Sequence, residues 1–130
     1  MRILLFFTVA MFFSQPLFAQ NEKNDMRNLR EYYFVELIKI PNRPKLDSAT
    51  TTEIQMAHLN NIDSLHKSGK LVLAGPFGDE KGGGVFILKA KSLEEATEIC
   101  DSDPAIKNGR LNYKVRPWWT DKTMFTSEKE

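Results

Sequence analysis

His58 and His66 are the only histidines of this 130-residue chain, and Cys100 is its only cysteine. Imidazole moves protons near neutral pH and thiolate is a strong nucleophile, so these three positions are the first places to look for chemistry. His58 lies in a run, Thr50 to Ser68, whose apolar residues recur at helical spacing. Counted from Ile54 at 100° per residue, Leu65 falls at about 20°, His58 at about 40° and Ile62 at about 80°, with Ala57 and Asn61 flanking the stripe. The ring therefore sits on the core-facing stripe, where it needs a hydrogen-bond partner or costs about 1–3 kcal/mol as an unsatisfied buried group. Taken alone, this helix favours a satisfied core histidine over a catalytic one. His66 is eight residues further on, about 12 Å of helical rise, too far for both rings to chelate one ion, and it falls on a polar side with Gln55 and Asp63. No metal site is expected.

Cys100 follows Ile99 at the end of a second helical pattern, has no cationic neighbour to lower its pKa and has no second cysteine to pair with. It reads as a small buried filler. Gly82, Gly83 and Gly84 follow Lys81, with no Lys-Ser/Thr after them and no helix opening there, so they mark a hairpin tip and not a phosphate cradle. Trp118 and Trp119 follow the last strand and suit either an aromatic ligand or the cover of a core edge or subunit seam.

The elements that must position these residues alternate in a simple order. Tyr32 to Ile40, rich in aromatic and β-branched residues and ended by Pro41, predicts a strand. Thr50 and Glu53 have capping-box spacing for the first helix, which Gly69 stops. Leu71 to Ala74 and Val85 to Ala90 predict a hairpin around the polar loop 78–84. Ser92 and Glu95 repeat the capping box for a helix from Leu93 to about Cys100, closed by Asp103-Pro104, and Leu111 to Arg116 predicts the last strand. The order β-α-β-β-α-β predicts an α+β, ferredoxin-like fold: one four-stranded antiparallel sheet with two helices on one face. The first and third strands are apolar at odd and even positions alike, which implies a second cover for the open face. A second copy of the chain, as a homodimer through the open sheet face, is the simplest one.

Arg2, the apolar run Ile3 to Phe13, the helix-breaking Ser14-Gln15-Pro16 and the small Ala19 have the pattern of a cleavable signal peptide. The expected division is 1–19 signal peptide, 20–31 flexible leader, 32–119 folded domain and 120–130 polar tail. After cleavage about 111 residues remain, enough for one compact domain. Basic and acidic residues then balance at 17 each, which argues against nucleic acid and against stable membrane association. The expected location is periplasmic or extracellular.

From its first strand to Trp118 the sequence resembles the YCII-related family of small dimeric ferredoxin-like proteins. The landmarks are Ala57-His58-Leu59, Gly69, Leu71-Val72-Leu73-Ala74-Gly75-Pro76, Asp103-Pro104 with Gly109 five residues on, and Val115-Arg116-Pro117-Trp118. The resemblance implies the dimeric α+β barrel type and a polar pair, His58 with Asp103, beside the Gly75-Pro76 turn. It implies catalytic roles for His58 and Asp103, and substrate contacts from Gly75, Pro76 and Trp118. Two positions depart from the family: Gln55 where many members carry arginine, and Ala105 where many carry an aromatic residue. The activity implied is a lyase-like or isomerase-like reaction, without cofactor, on a small carbonyl or lactone substrate. The alternatives are a non-catalytic module for a small ligand and a purely structural dimer.

Overall fold

The computed structural model describes residues 28–125. Strand β1 spans Leu29–Lys39, helix α1 Ser48–Lys67, β2 Leu71–Pro76, β3 Gly84–Leu88, α2 Leu93–Asp101, a short α3 Pro104–Lys107 and β4 Leu111–Asp121, followed by a 3-10 helix, Lys122–Phe125. The strands form one antiparallel sheet in the order β2-β3-β1-β4. This is the expected ferredoxin-like βαββαβ arrangement, with α3 as an added turn between α2 and β4. Among the described residues no helix is long and apolar enough to cross a membrane.

Alternation along the strands sorts the sheet into two faces. Tyr33, Val35 and Leu37 of β1 and Phe86 and Leu88 of β3 pack with Ala96, Ile99 and Cys100 of α2, and α1 adds Ile62 and Leu65. Cys100 is fully buried, and burial, reinforced by the charges of Asp101 and Asp103, pushes its thiol up to about 12. It is filler, not a nucleophile.

Local chemistry sets the helix ends. Helix α1 begins before the Thr50 expected as its cap: Asp47 is the N-cap, accepting from the Thr50 amide at 2.8 Å and the Thr50 hydroxyl at 2.7 Å. At its far end Gly69, at φ 73°, lets its own amide reach His66 O and the Lys70 amide reach Leu65 O, both at 3.0 Å. Ser92 caps α2 as expected, through its hydroxyl to the Glu95 amide at 3.2 Å.

The open face differs from expectation in one respect. Tyr32, Phe34 and Ile38 of β1 lie there with Val85 and Ile87, but Glu36 also lies there, in register with Lys114, and the Arg116 guanidinium sits 5.7 Å from the Phe34 ring. The chain does have a further element for this face. Phe125 of the 3-10 helix packs edge-on against Tyr32 and Trp118, with ring centroids 5.1 and 6.4 Å apart, and Tyr32 is buried. Order thus extends into both flanking stretches, since β1 starts at Leu29 and β4 runs past Pro117 to Asp121. The expected signal peptide, residues 1–19, lies outside the described residues.

Candidate active site

His58 projects from the buried side of α1, and Asp103 stands at the N-cap of α3, which the Asp-Pro step starts. Proline at the first helical position needs no amide partner, and the aspartate supplies the acceptor that the next amides need. Asp103 Oδ1 accepts from the amides of Ala105 at 2.9 Å and Ile106 at 3.4 Å. His58 Nδ1 lies 2.9 Å from both carboxylate oxygens, and Asn61 Nδ2 donates to Oδ2 at 2.9 Å. Asp103 is fully buried and His58 nearly so.

Burial is the largest single influence on the Asp103 carboxyl and acts to raise its pKa. The hydrogen bonds from His58 and Asn61, the charge of His58 and the Ala105 amide together outweigh it and hold the group below the ordinary aspartate value. An ionised carboxylate only accepts, so the proton of a neutral His58 ring belongs on Nδ1 and the lone pair on Nε2. Among the described residues no hydrogen bond reaches Nε2, and no buried side-chain polar atom lacks a partner. Nε2 must therefore be the accessible edge of the ring. The ring lines a cavity of about 400 Å³.

The cavity lies between α1 and the β2–β3 hairpin. Leu37, Leu59, Ile62, Phe86 and Leu111 give it apolar walls, and Phe86 stacks on His58 with centroids 6.0 Å apart. Ala74, Gly75 and Pro76 form the β2 rim, with Gly83 and Gly84 beside them. Gly83 holds φ 86°, and a Cβ there would stand 2.1 Å from Leu37 O, so the hairpin can close on β1 only with glycine at this position.

Of the residues implied by the resemblance, the structure brings His58, Asp103, Gly75 and Pro76 together. It does not bring Trp118. That side chain lies in register with Tyr32, on the face away from the helices and the cavity, against Phe125. Val115 is packed against the core on the helix face, and three residues along a strand reverse the face. Asp101, two residues before Asp103, accepts from the Tyr113 hydroxyl at 2.6 Å. His66 is exposed, and its Nδ1 donates to Leu71 O at 3.2 Å. Asn61 is the site residue that sequence reasoning missed as a partner; its signal was its place one turn after His58, beside the apolar stripe.

The model of the YCII-related domain matches residues 34–119, most of the described fold. The chain belongs to the YCII-related family. The uncharacterized protein YjpA of Bacillus subtilis (strain 168) is 36% identical over 61 residues, which cover 47% of this chain and 71% of YjpA. Two solved structures share the fold of this YCII-related chain. One is 5-chloro-2-hydroxyhydroquinone dehydrochlorinase from Burkholderia phenoliruptrix AC1100 in complex with 2,5-dihydroxybenzoquinone: TM-score 0.52, 21% identity, 67% of this chain and 92% of that one. The other is muconolactone isomerase: TM-score 0.57, 14% identity, 67% of this chain and 86% of that one.

The Asp103 shift makes a prediction about stability. A carboxyl whose pKa is lower in the folded than in the unfolded chain stabilises the fold fully above the unfolded value, about 3.9, and loses that contribution as pH falls through the native value. Urea midpoints measured from neutral to acid pH should therefore fall faster for the wild-type protein than for Asp103→Asn. Parallel curves would show that Asp103 is not held ionised in this way.

Proposed function

We propose that this YCII-related protein is an exported enzyme of lyase or isomerase type, acting on a small carbonyl or lactone compound with His58 as general base. The observation that carries this reading is the His58 ring, fixed by Asp103 through Nδ1, with no hydrogen bond to Nε2 among the described residues, and lining an apolar cavity. In the first step Nε2 takes a proton from the carbon beside the carbonyl, and the C–H electron pair becomes the enolate double bond with charge on oxygen. Asp103 stabilises the imidazolium that forms. In an elimination the enolate re-forms the carbonyl, its carbon–carbon pair becomes a double bond to the next carbon, the leaving group departs from that carbon with its bonding pair, and the imidazolium gives its proton to the departing group. In an isomerisation the proton returns to a different carbon of the same enolate. The names of the two fold neighbours, a dehydrochlorinase and an isomerase, support these two outcomes.

Incubation of the protein with small lactones in deuterium oxide is the test. Deuterium should enter at the carbon beside the carbonyl with wild type and not with His58→Gln, and equal incorporation by both would remove the base assignment.

Two further parts belong to this reading. Export is supported by Arg2, the Ile3 to Phe13 run and Ala19, and the intact mass of the exported protein should start within a few residues of Gln20. A mass that retains Met1 would contradict cleavage. A second copy covers the part of the open sheet face around the half-buried Phe34 and Val85, where exposed Leu73 extends the apolar surface. Light scattering should give twice the chain mass, and a monomer at micromolar concentration would leave Phe125 as the main cover of that face.

A further inference from the structure

The side chains that line the cavity carry no formal charge apart from whatever proton His58 holds. Resting on the reading that this cavity is the substrate site, we propose that it takes uncharged, oxygen-bearing small molecules, and that Gln55 is its specificity-determining residue. A carboxylate moved into these walls would give up its water without meeting a lysine or arginine, which costs a charge far more than it costs a neutral amide or lactone. The one cation it could meet is protonated His58. A ring that must accept a proton has to be neutral, so binding an anion and abstracting a proton would select opposite states of the same imidazole.

Gln55 and His58 are the polar side chains of the lining. They stand three residues apart on α1, one turn and one face. The Gln55 amide offers two donors and an acceptor, and its donors suit a carbonyl oxygen both before and after that oxygen gains enolate charge. Gln55 is exposed at the cavity mouth, so a substitution there does not disturb the core.

Benzamide and benzoate have nearly the same shape and differ in charge, so their binding to the full chain, followed by calorimetry at neutral pH, tests the proposal. Benzamide should bind wild type at least ~10-fold more tightly than benzoate. Gln55→Arg, a good helix former that supplies the missing positive charge, should reverse that order, and Gln55→Leu should weaken benzamide while leaving benzoate unchanged. Benzoate binding wild type as tightly as benzamide would overturn the proposal, as would binding of neither probe or an order that Gln55→Arg leaves unaltered. The readout is binding and not turnover. A protein that prefers benzamide yet exchanges no substrate proton keeps this inference and loses the base assigned to His58.

Discussion

His58→Gln should lower turnover by about 10²–10⁴-fold while leaving the melting temperature close to wild type. Glutamine keeps an N–H donor in reach of Asp103 but has no lone pair that can act as a base near neutral pH. His58→Ala should lose the same activity, and its stability cost should stay near 1–2 kcal/mol, because Asp103 keeps the Asn61 amide and the Ala105 and Ile106 backbone amides. Activity and thermal unfolding measured on the same preparations separate the two roles. If His58→Gln retains activity, or if both variants lose several kcal/mol, the histidine is a structural residue.

Asp103→Ala should be the most destabilising single change at the site, by about 3–5 kcal/mol. It removes the N-cap of α3 and the partners of His58 and Asn61 at once, from a fully buried position. Asp103→Asn should cost less, because its side-chain oxygen can still accept from the Ala105 amide. If its amide then faces His58, Nδ1 becomes the acceptor and the ring proton moves to Nε2, so the base is lost while the fold survives. Chemical denaturation should therefore rank wild type above Asp103→Asn above Asp103→Ala. An alanine variant as stable as wild type would show that the buried carboxylate is not the anchor of α3.

The order of elements was legible because each one carries its own signal: β-branched runs, the Ser92 cap, and Gly69 and the Asp103-Pro104 step as stops. The His58 ring was placed on the buried stripe by periodicity alone, but nothing local identifies a partner 45 residues away. That pairing came from resemblance, and Asn61, with no such landmark, was missed. The capping-box pattern of Thr50 and Glu53 puts the start of α1 three residues too late; Asp47 wins by accepting from both the amide and the hydroxyl of Thr50.

Trp118 lies away from the cavity for a related reason. Pro117 predicts the end of the last strand, yet β4 is an edge strand, where a missing amide donor is tolerated, and it continues to Asp121. Once the strand runs through Pro117, alternation from Val115 sends Trp118 to the face opposite the cavity. The docking of Phe125 over Tyr32 depends on that longer strand and has no local signal of its own.

A general base at His58 requires its proton on Nδ1, and nitrogen-15 NMR of the imidazole in the intact protein reads this directly. With the ring neutral, Nδ1 should be protonated and shielded from solvent exchange by Asp103, and Nε2 should be unprotonated, with a resonance that moves when benzamide enters the cavity. A ring protonated on Nε2, or one whose Nε2 does not respond to a bound ligand, would contradict that role.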